Sequence, residues 1–191
     1  MSPRAVQFTR EEILDAAFQL VREKGWDGFS VQAVAAAING STMPIYSKFL
    51  NVCDLEDAVC LKAFDLLKER LLYEVTGDIW IDQAINYVRF AVEEKHLFRC
   101  LWDGRNVELL RKCGRDLEDF ISGTLVGYPL FSKLSDSERN LVRFSRTMLA
   151  QNLAFWMNKN SNYLEERGLV VEDYIKNASM ALYCGFNFQF K

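Results

Sequence analysis

Cysteine and histidine are the side chains most often used for metal binding and nucleophilic catalysis, and this 191-residue chain has five cysteines and one histidine. The cysteines are scattered, without a CxxC pair, at Cys53, Cys60, Cys100, Cys113 and Cys184. An odd, dispersed set beside a single histidine, His96, favours reduced buried thiols over a disulfide framework or a zinc site. We therefore predict no metal site and no cofactor.

The sequence patterns of enzymatic catalysis are also absent. There is no glycine-rich phosphate loop, no Glu-x-x-His pair, and no serine or cysteine nucleophile at a recognisable spacing from His96. The acidic residues Asp116, Glu118 and Asp119 have the spacing of a solvated helix face. The chain is predicted not to be an enzyme.

A third group of reactive side chains lies between residues 41 and 48, where hydroxyl groups, a tyrosine and a lysine stand close together. Hydroxyl groups bond to phosphates or bases, and a lysine neutralises a phosphate. The formal net charge of the whole chain is −3. Any nucleic-acid site must therefore be local and not a property of the whole surface.

The elements that position these side chains are predicted to be helices, because only three prolines and ten glycines interrupt the chain. The first helix begins at a capping box. In it, the Thr9 hydroxyl accepts from the amide of Glu12, and the Glu12 carboxylate reaches back to the amide of Thr9. A helical stripe of apolar residues runs from Ile13 to Val21, and Gly25 ends the helix.

Two short helices joined by a tight turn are predicted next. Ser30 is the N-cap of the second helix, and Asn39 with Gly40 tolerates the positive φ of a tight turn. Ser41 or Thr42 is predicted to cap the third helix, which has a proline in its first turn, where a missing N–H costs little. Three short helices with a tight turn between the second and third are the layout of a helix-turn-helix.

Longer helices are predicted for the rest of the chain. Their approximate ranges are about 54–74, 78–92, 107–125, 136–157 and 171–185, with a less regular region at 95–104. Ser135 or Ser137 is the predicted N-cap of the fourth of these. The apolar stretch from Leu141 to Met157 is interrupted by Arg143 and Arg146, which argues against a membrane span.

The run from Ile13 to Val59 resembles the N-terminal part of TetR-family transcriptional regulators. About 45 residues match without a gap, roughly a quarter of the chain. The matching positions are Ile13 to Gly25, Trp26, Ser30, Val31, Val34, Ala35, Ile45, Tyr46, Phe49, Asp54 and Leu55. The resemblance implies an all-α fold of about nine helices. A three-helix helix-turn-helix domain would occupy residues 1–52, and a helical effector-binding and dimerisation domain residues 53–191.

The resemblance further implies that the third helix contacts DNA. Ile45 and Phe49 can pack inward while its other side chains face the major groove. In the family, the tyrosine at the place of Tyr46 commonly lies against the DNA backbone, and the residue at the place of Ser30 commonly touches phosphate. The predicted DNA-binding residues are Ser30, Ser41, Thr42, Met43, Tyr46, Ser47 and Lys48.

The sequence departs from the family pattern in ways that bear on affinity. Residues 1–50 contain five basic and five acidic residues, so their net charge is zero. Val52 and Cys53 stand where family members often have a lysine, and Asn39 stands in the usual place of the turn glycine. We predict few phosphate contacts and a modest dependence of DNA binding on salt, with Arg4 and Arg10 as further candidates to reach phosphate.

For the second domain, the resemblance implies a small-molecule effector and a homodimer formed through the last two long helices, about 136–158 and 171–185. The predicted ligand-binding residues are Phe90, Phe98, Trp102, Phe120, Phe155 and Trp156. Core packing is the alternative role for each of them. The phenylalanines at positions 186, 188 and 190 are predicted to pack on the body of the protein or on its partner.

The predicted function is that of a cytoplasmic, sequence-specific regulator, a repressor in the family's usual mode, whose affinity for a palindromic double-stranded operator is modulated by a small apolar or aromatic effector. Activation stays open as the opposite mode. The alternative is a dimeric small-molecule-binding protein with weak or lost DNA binding. Salt-dependent, sequence-selective DNA binding separates the two.

Overall fold

The computed structural model describes residues 8–102 and 105–189, with side chains described to residue 186. Within those ranges the chain is helical and has no strand. The α-helices are α1 (Arg10–Lys24), α2 (Val31–Ala37), α3 (Met43–Lys48), α4 (Val52–Arg70), α5 (Ile79–Glu93), α6 (Lys95–Cys100), α7 (Val107–Thr124), α8 (Asp136–Lys159) and α9 (Val171–Gln189). The predicted all-α fold of about nine helices is confirmed. Arg4 and Phe190 lie outside the described residues.

The predicted helix starts are confirmed where a side chain caps the first turn. Before α1, the Thr9 amide donates to the Glu12 carboxylate (2.7 Å) and the Glu12 amide donates to the Thr9 hydroxyl (3.1 Å). These bonds from Thr9 hold the pKa of Glu12 below its usual value. Ser135 and Glu138 form the same reciprocal pair before α8. Each pair satisfies amides that the helix itself leaves without acceptors.

Helix ends were harder to predict than helix starts. α4 ends at Arg70 instead of about Glu74, because the amides of Val75 and Thr76 donate to the carboxylate of Asp82 (3.2 and 2.8 Å) and not to carbonyls of α4. α9 continues to Gln189, past the predicted end at Gly185. The region from Lys95 contains a short helix, α6, where an irregular segment was predicted.

The chain divides into two compact units that do not follow chain order. Unit 1 comprises Met1–Leu66 and Glu94–Gly114, and unit 2 comprises Leu67–Glu93 and Arg115–Lys191. The boundaries therefore fall inside α4 and α7. The predicted division at residue 52 is a division by function, and it stays a prediction.

Unit 1 is built around α1. Its buried face, which includes Ile13, Ala17 and Val21, packs against α2, α3 and α6. Arg22 of α1 forms a two-pronged ion pair with Glu94, in which the Nε–Oε2 distance is 2.7 Å. This bond raises the pKa of Arg22. The pair ties the end of α1 to the residue that precedes α6.

Unit 2 is built around α5, which is buried on nearly every side between α8 and α9. Two side-chain amides are satisfied here: the Asn86 amide of α5 donates to the Tyr73 carbonyl (2.6 Å), and the Asn158 amide of α8 donates to the Ala91 carbonyl of α5 (2.7 Å). In α9, Phe186 is half-buried, while the side chain of Phe188 lies outside the described part of the chain.

Candidate nucleic-acid interface and ligand site

α3 separates its side chains into a buried face and an exposed face. Ile45 and Phe49, one turn apart, are each 2% exposed. On the opposite side Met43 is 78% exposed and Tyr46 54% exposed. Because residues three and four apart share a helix face, the exposed side chains form one continuous surface at the start of a helix. This is the arrangement that a recognition helix requires.

The turn before α3 has the backbone conformation that the sequence predicts. Asn39 lies in the left-handed region with φ 53°. A Cβ at Gly40 would approach the Phe8 ring to 2.8 Å, so a glycine is needed there for close packing. Thr42 is the N-cap of α3, one of the two residues predicted there, but its side chain makes no capping hydrogen bond. α3 is therefore held by its buried face and by the turn.

The remaining predicted DNA-binding residues are accessible. Ser41, Ser47 and Lys48 are exposed and Thr42 is half-buried, so six of the seven residues lie together in one run of the chain. The Ser47 hydroxyl donates to the Pro44 carbonyl (2.7 Å). Ser30 is exposed at the start of α2, where its hydroxyl accepts from the Ala33 amide (3.0 Å). A hydroxyl that accepts in this way still has its own hydrogen to donate to an outside phosphate.

Several basic residues of unit 1 are engaged within the protein. The Arg10 guanidinium lies 4.3 Å from the centroid of the Phe49 ring and 3.8 Å from the Asp54 carboxylate. Lys62 pairs with Glu11 and Asp15, chiefly through its hydrogen bond to Asp15, and these bonds raise its pKa. On α3 itself, Lys48 is the basic residue. The positive charge that unit 1 has available for phosphate contacts is therefore smaller than its number of basic residues indicates.

The six predicted ligand-binding residues are distributed over both compact units, and their role in binding a ligand stays a prediction. Phe98 and Trp102 belong to unit 1, where their ring centroids lie 6.4 Å apart, and Trp102 is exposed. Phe155 and Trp156 are exposed on α8, and Phe120 is half-buried. Phe90 lines a cavity of about 120 Å³ in unit 2 beside Arg70, Asn86 and Arg89. That volume is below the roughly 300 Å³ at which ligand pockets begin.

Arg146 is a buried charged residue of unit 2 that is not among the predicted ligand-binding residues. It is 3% exposed, and its guanidinium carbon lies 5.8 Å from the centroid of the Trp80 ring. Burial lowers its pKa to about 10. The signal in the sequence is a pair of arginines, Arg143 and Arg146, one turn apart inside the most apolar part of α8.

α8 also presents a stripe of exposed apolar side chains. Leu141, Phe144, Met148 and Phe155 recur at spacings of three, four and seven residues, which place them along one helix face. On α9 the exposed residues Met180 and Cys184 lie four residues apart. In the described residues, no group of three His, Cys, Asp or Glu side chains is placed to hold a metal ion. None of the described helices is long and apolar enough to cross a membrane.

Comparison with solved structures shows that this fold is similar to that of a TetR-family transcriptional regulator. A TetR-family transcriptional regulator from Streptomyces coelicolor matches 96% of this chain and 85% of its own with a TM-score of 0.72 at 18% identity. A protein of unknown function from Rhodococcus sp. RHA1 matches over 97% and 98% of the two chains, with a TM-score of 0.67 at 18% identity. The fatty acid degradation regulator FadR from Bacillus halodurans matches over 95% and 97%, with a TM-score of 0.55 at 14% identity.

No family model matches the sequence, and no curated protein matches it either. The likeness to solved structures is therefore a likeness of fold. It agrees with the fold that the residues from Ile13 to Val59 imply.

Proposed function

We propose that the chain is a sequence-specific DNA-binding transcriptional regulator that contacts the major groove with α3. The observation that carries the proposal is the division of α3 into two faces. Ile45 and Phe49 are buried, while Met43, Tyr46 and Lys48 are exposed. Met43 and Tyr46 give this six-residue helix an exposed apolar and aromatic surface, and such surfaces mark sites that contact a partner. A base stack with thymine methyls and phosphates is such a partner.

We further propose that the regulator acts as a homodimer through α8 and α9. The exposed stripe of Leu141, Phe144, Met148 and Phe155 would be covered by the same stripe of a second copy. A dimer presents two recognition helices, which read a palindromic operator when they lie about 34 Å apart, one turn of DNA.

Repression relieved by a small apolar or aromatic effector is the proposed mode of regulation. For the effector to regulate, it must bind the DNA-competent and DNA-incompetent states with different free energies. A difference of about 1–3 kcal/mol is typical of such coupling.

The test is a fluorescence anisotropy titration of the purified protein against DNA from upstream of its own gene, with a scrambled competitor and at two salt concentrations. We expect selective binding that weakens with salt and is lost in Tyr46→Ala. Lys112→Ala is the matched surface control, because Lys112 is an exposed residue of α7 in the same unit. Equal affinity for the scrambled DNA at low salt would contradict the proposal.

The second candidate function is a dimeric small-molecule-binding protein with weak or lost DNA binding. The pairing of Arg10 with Asp54 and of Arg22 with Glu94 favours it, because both arginines are then less available to phosphates. This candidate predicts dimerisation and ligand binding without any selective binding of DNA in the same titration.

A further inference from the structure

The core of unit 2 buries the cation of Arg146, which is 3% exposed. Its Nε is buried without a hydrogen-bond acceptor, and no ion pair joins Arg146 to an acidic side chain among the described residues. The ring of Trp80 is the neighbour that faces it. A buried guanidinium is costly unless an anion neutralises it and accepts its hydrogen bonds.

Asp78, the carboxylate that acts on Arg146 electrostatically, is already engaged. Both oxygens of Asp78 accept from the Tyr128 hydroxyl (2.9 and 2.7 Å), and Asp78 also accepts from the amide of Trp80 (3.0 Å) at the start of α5. Asp78 therefore acts on Arg146 electrostatically, without contacting it. The carboxylate that Arg146 requires is not supplied by this neighbour.

A second arginine adds to the positive charge. Arg143 lies one turn before Arg146 on the same face of α8, and its Nε also lacks a hydrogen-bond partner. Burial lowers the pKa of Arg143 and of Arg146, and the charge of Arg143 lowers that of Arg146 further. Two partly desolvated guanidiniums on one helix face define an anion site more strongly than one does.

Unsatisfied polar atoms also occur on the helices that pack against α8. On α5, the indole nitrogen of Trp80, a donor, is buried without a partner. The Oε1 of Gln83, one turn away, is also unpartnered, but it is an acceptor that a carboxylate cannot satisfy. On α9, the hydroxyl of Ser179 is fully buried and unpartnered. Native cores leave few such atoms without a reason, and an absent ligand is one. Around Trp80 the surroundings are aromatic, with the Phe131 ring 5.4 Å and the Tyr128 ring 6.0 Å away between centroids.

We propose that unit 2 binds a small organic carboxylate whose charged group pairs with Arg146 between α5 and α8 and whose apolar body packs against Trp80. The planar fork of a guanidinium matches the two oxygens of a carboxylate. The aromatic surroundings match an apolar body. This inference deepens the proposed effector binding, and it rests on the proposed function for the claim that the ligand regulates DNA affinity.

The test is isothermal titration calorimetry of the full chain, without DNA, against matched acid and amide probes. Octanoate with octanamide represents an alkyl body, and 1-naphthoate with 1-naphthamide an aryl body. Inorganic phosphate tests whether charge alone is enough. We expect one of the carboxylates to bind, its amide to bind at least about tenfold more weakly, and phosphate not to bind.

Arg146→Met is the decisive variant, since it keeps an unbranched side chain of similar width in the core and removes the charge. We expect its affinity for the carboxylate to fall about tenfold to a hundredfold, while Arg139→Met, on the same helix, retains wild-type affinity. Circular dichroism establishes that each variant folds. Should Arg146→Met not fold, Arg146→Lys replaces it, with an intermediate loss expected because the charge remains and the planar fork does not.

Three results would overturn the inference: no carboxylate binding with a Kd below about 1 mM, equal binding of acid and amide, or unchanged affinity in the folded Arg146 variant. None of them bears on operator recognition by α3, because the calorimetry contains no DNA. Conversely, carboxylate binding by a chain that does not select its operator would support this inference and overturn the proposed function.

Discussion

The salt dependence of DNA binding gives a quantitative test of how α3 meets the operator. Lys48 is the basic residue of α3, and it is exposed. Each lysine that neutralises a phosphate releases counterions, and the slope of log K against log salt changes by about 0.9 for each contact. A dimer carries two copies of Lys48. Lys48→Gln should therefore make the slope shallower by about 2.

The size of this effect makes it easy to measure. Over a fourfold rise in salt concentration, a slope difference of about 2 means that the wild-type protein loses roughly tenfold more affinity than the variant. Anisotropy titrations at four or five salt concentrations give both slopes. Lys112→Gln, an exposed substitution on α7, controls for the loss of one charge from the whole chain.

Two results would refute the reasoning. Equal slopes for the wild type and Lys48→Gln would mean that Lys48 does not neutralise a phosphate, so that α3 is not presented to DNA as proposed. The same slope change in Lys112→Gln would mean that the effect comes from net charge and not from a contact. If the variants and the wild type unfold at the same temperature, a change in slope cannot come from a loss of folded structure.

Three further predictions follow from buried and exposed contacts. Phe49→Ala should destabilise the protein by about 3 kcal/mol or more in urea unfolding, because it leaves a cavity where the buried ring packs; Met43→Ala, at a side chain that is 78% exposed, should leave stability unchanged. Tyr128→Phe should cost about 1–2 kcal/mol by the same measurement, since Asp78 loses its hydroxyl donor, and an unchanged stability would contradict that role. Phe144→Glu should convert a dimer to a monomer in sedimentation, and a retained dimer would exclude α8 from the interface.

The fold was largely predictable because its start signals are local. A capping box needs two side chains three residues apart, so Thr9 with Glu12 and Ser135 with Glu138 could be recognised from the sequence. The two faces of α3 were predictable for the same reason, since Ile45 and Phe49 lie one turn apart. Helix ends depend on distant partners: α4 ends where Asp82, from the next helix, takes the amides of Val75 and Thr76.

The candidate sites were less predictable because they depend on which residues the tertiary structure brings together. Arg10 and Arg22 are ordinary surface arginines in the sequence, but in the folded chain Asp54 and Glu94 pair with them across 44 and 72 positions. Arg146 shows the opposite case. A charged residue in an apolar run is normally expected on the solvated face, and only the packing of α5 and α9 around α8 buries it.

The helix-turn-helix segment, residues 1–50, has a net charge of zero. DNA binding by the proposed regulator should therefore depend more strongly on dimerisation than it would with a strongly basic segment. With one lysine on α3, a single helix-turn-helix of the proposed dimer would make few phosphate contacts, and its affinity for any DNA would be low. In a dimer joined through α8, the second helix-turn-helix would meet DNA at a high effective concentration, because its contact with the operator becomes intramolecular. Phe144→Glu, far from α3 in sequence, should then reduce operator affinity more than Lys48→Gln does. A larger loss of operator affinity in Lys48→Gln than in Phe144→Glu would mean that one helix-turn-helix is enough for binding. The apolar stripe on α8 would then need another explanation.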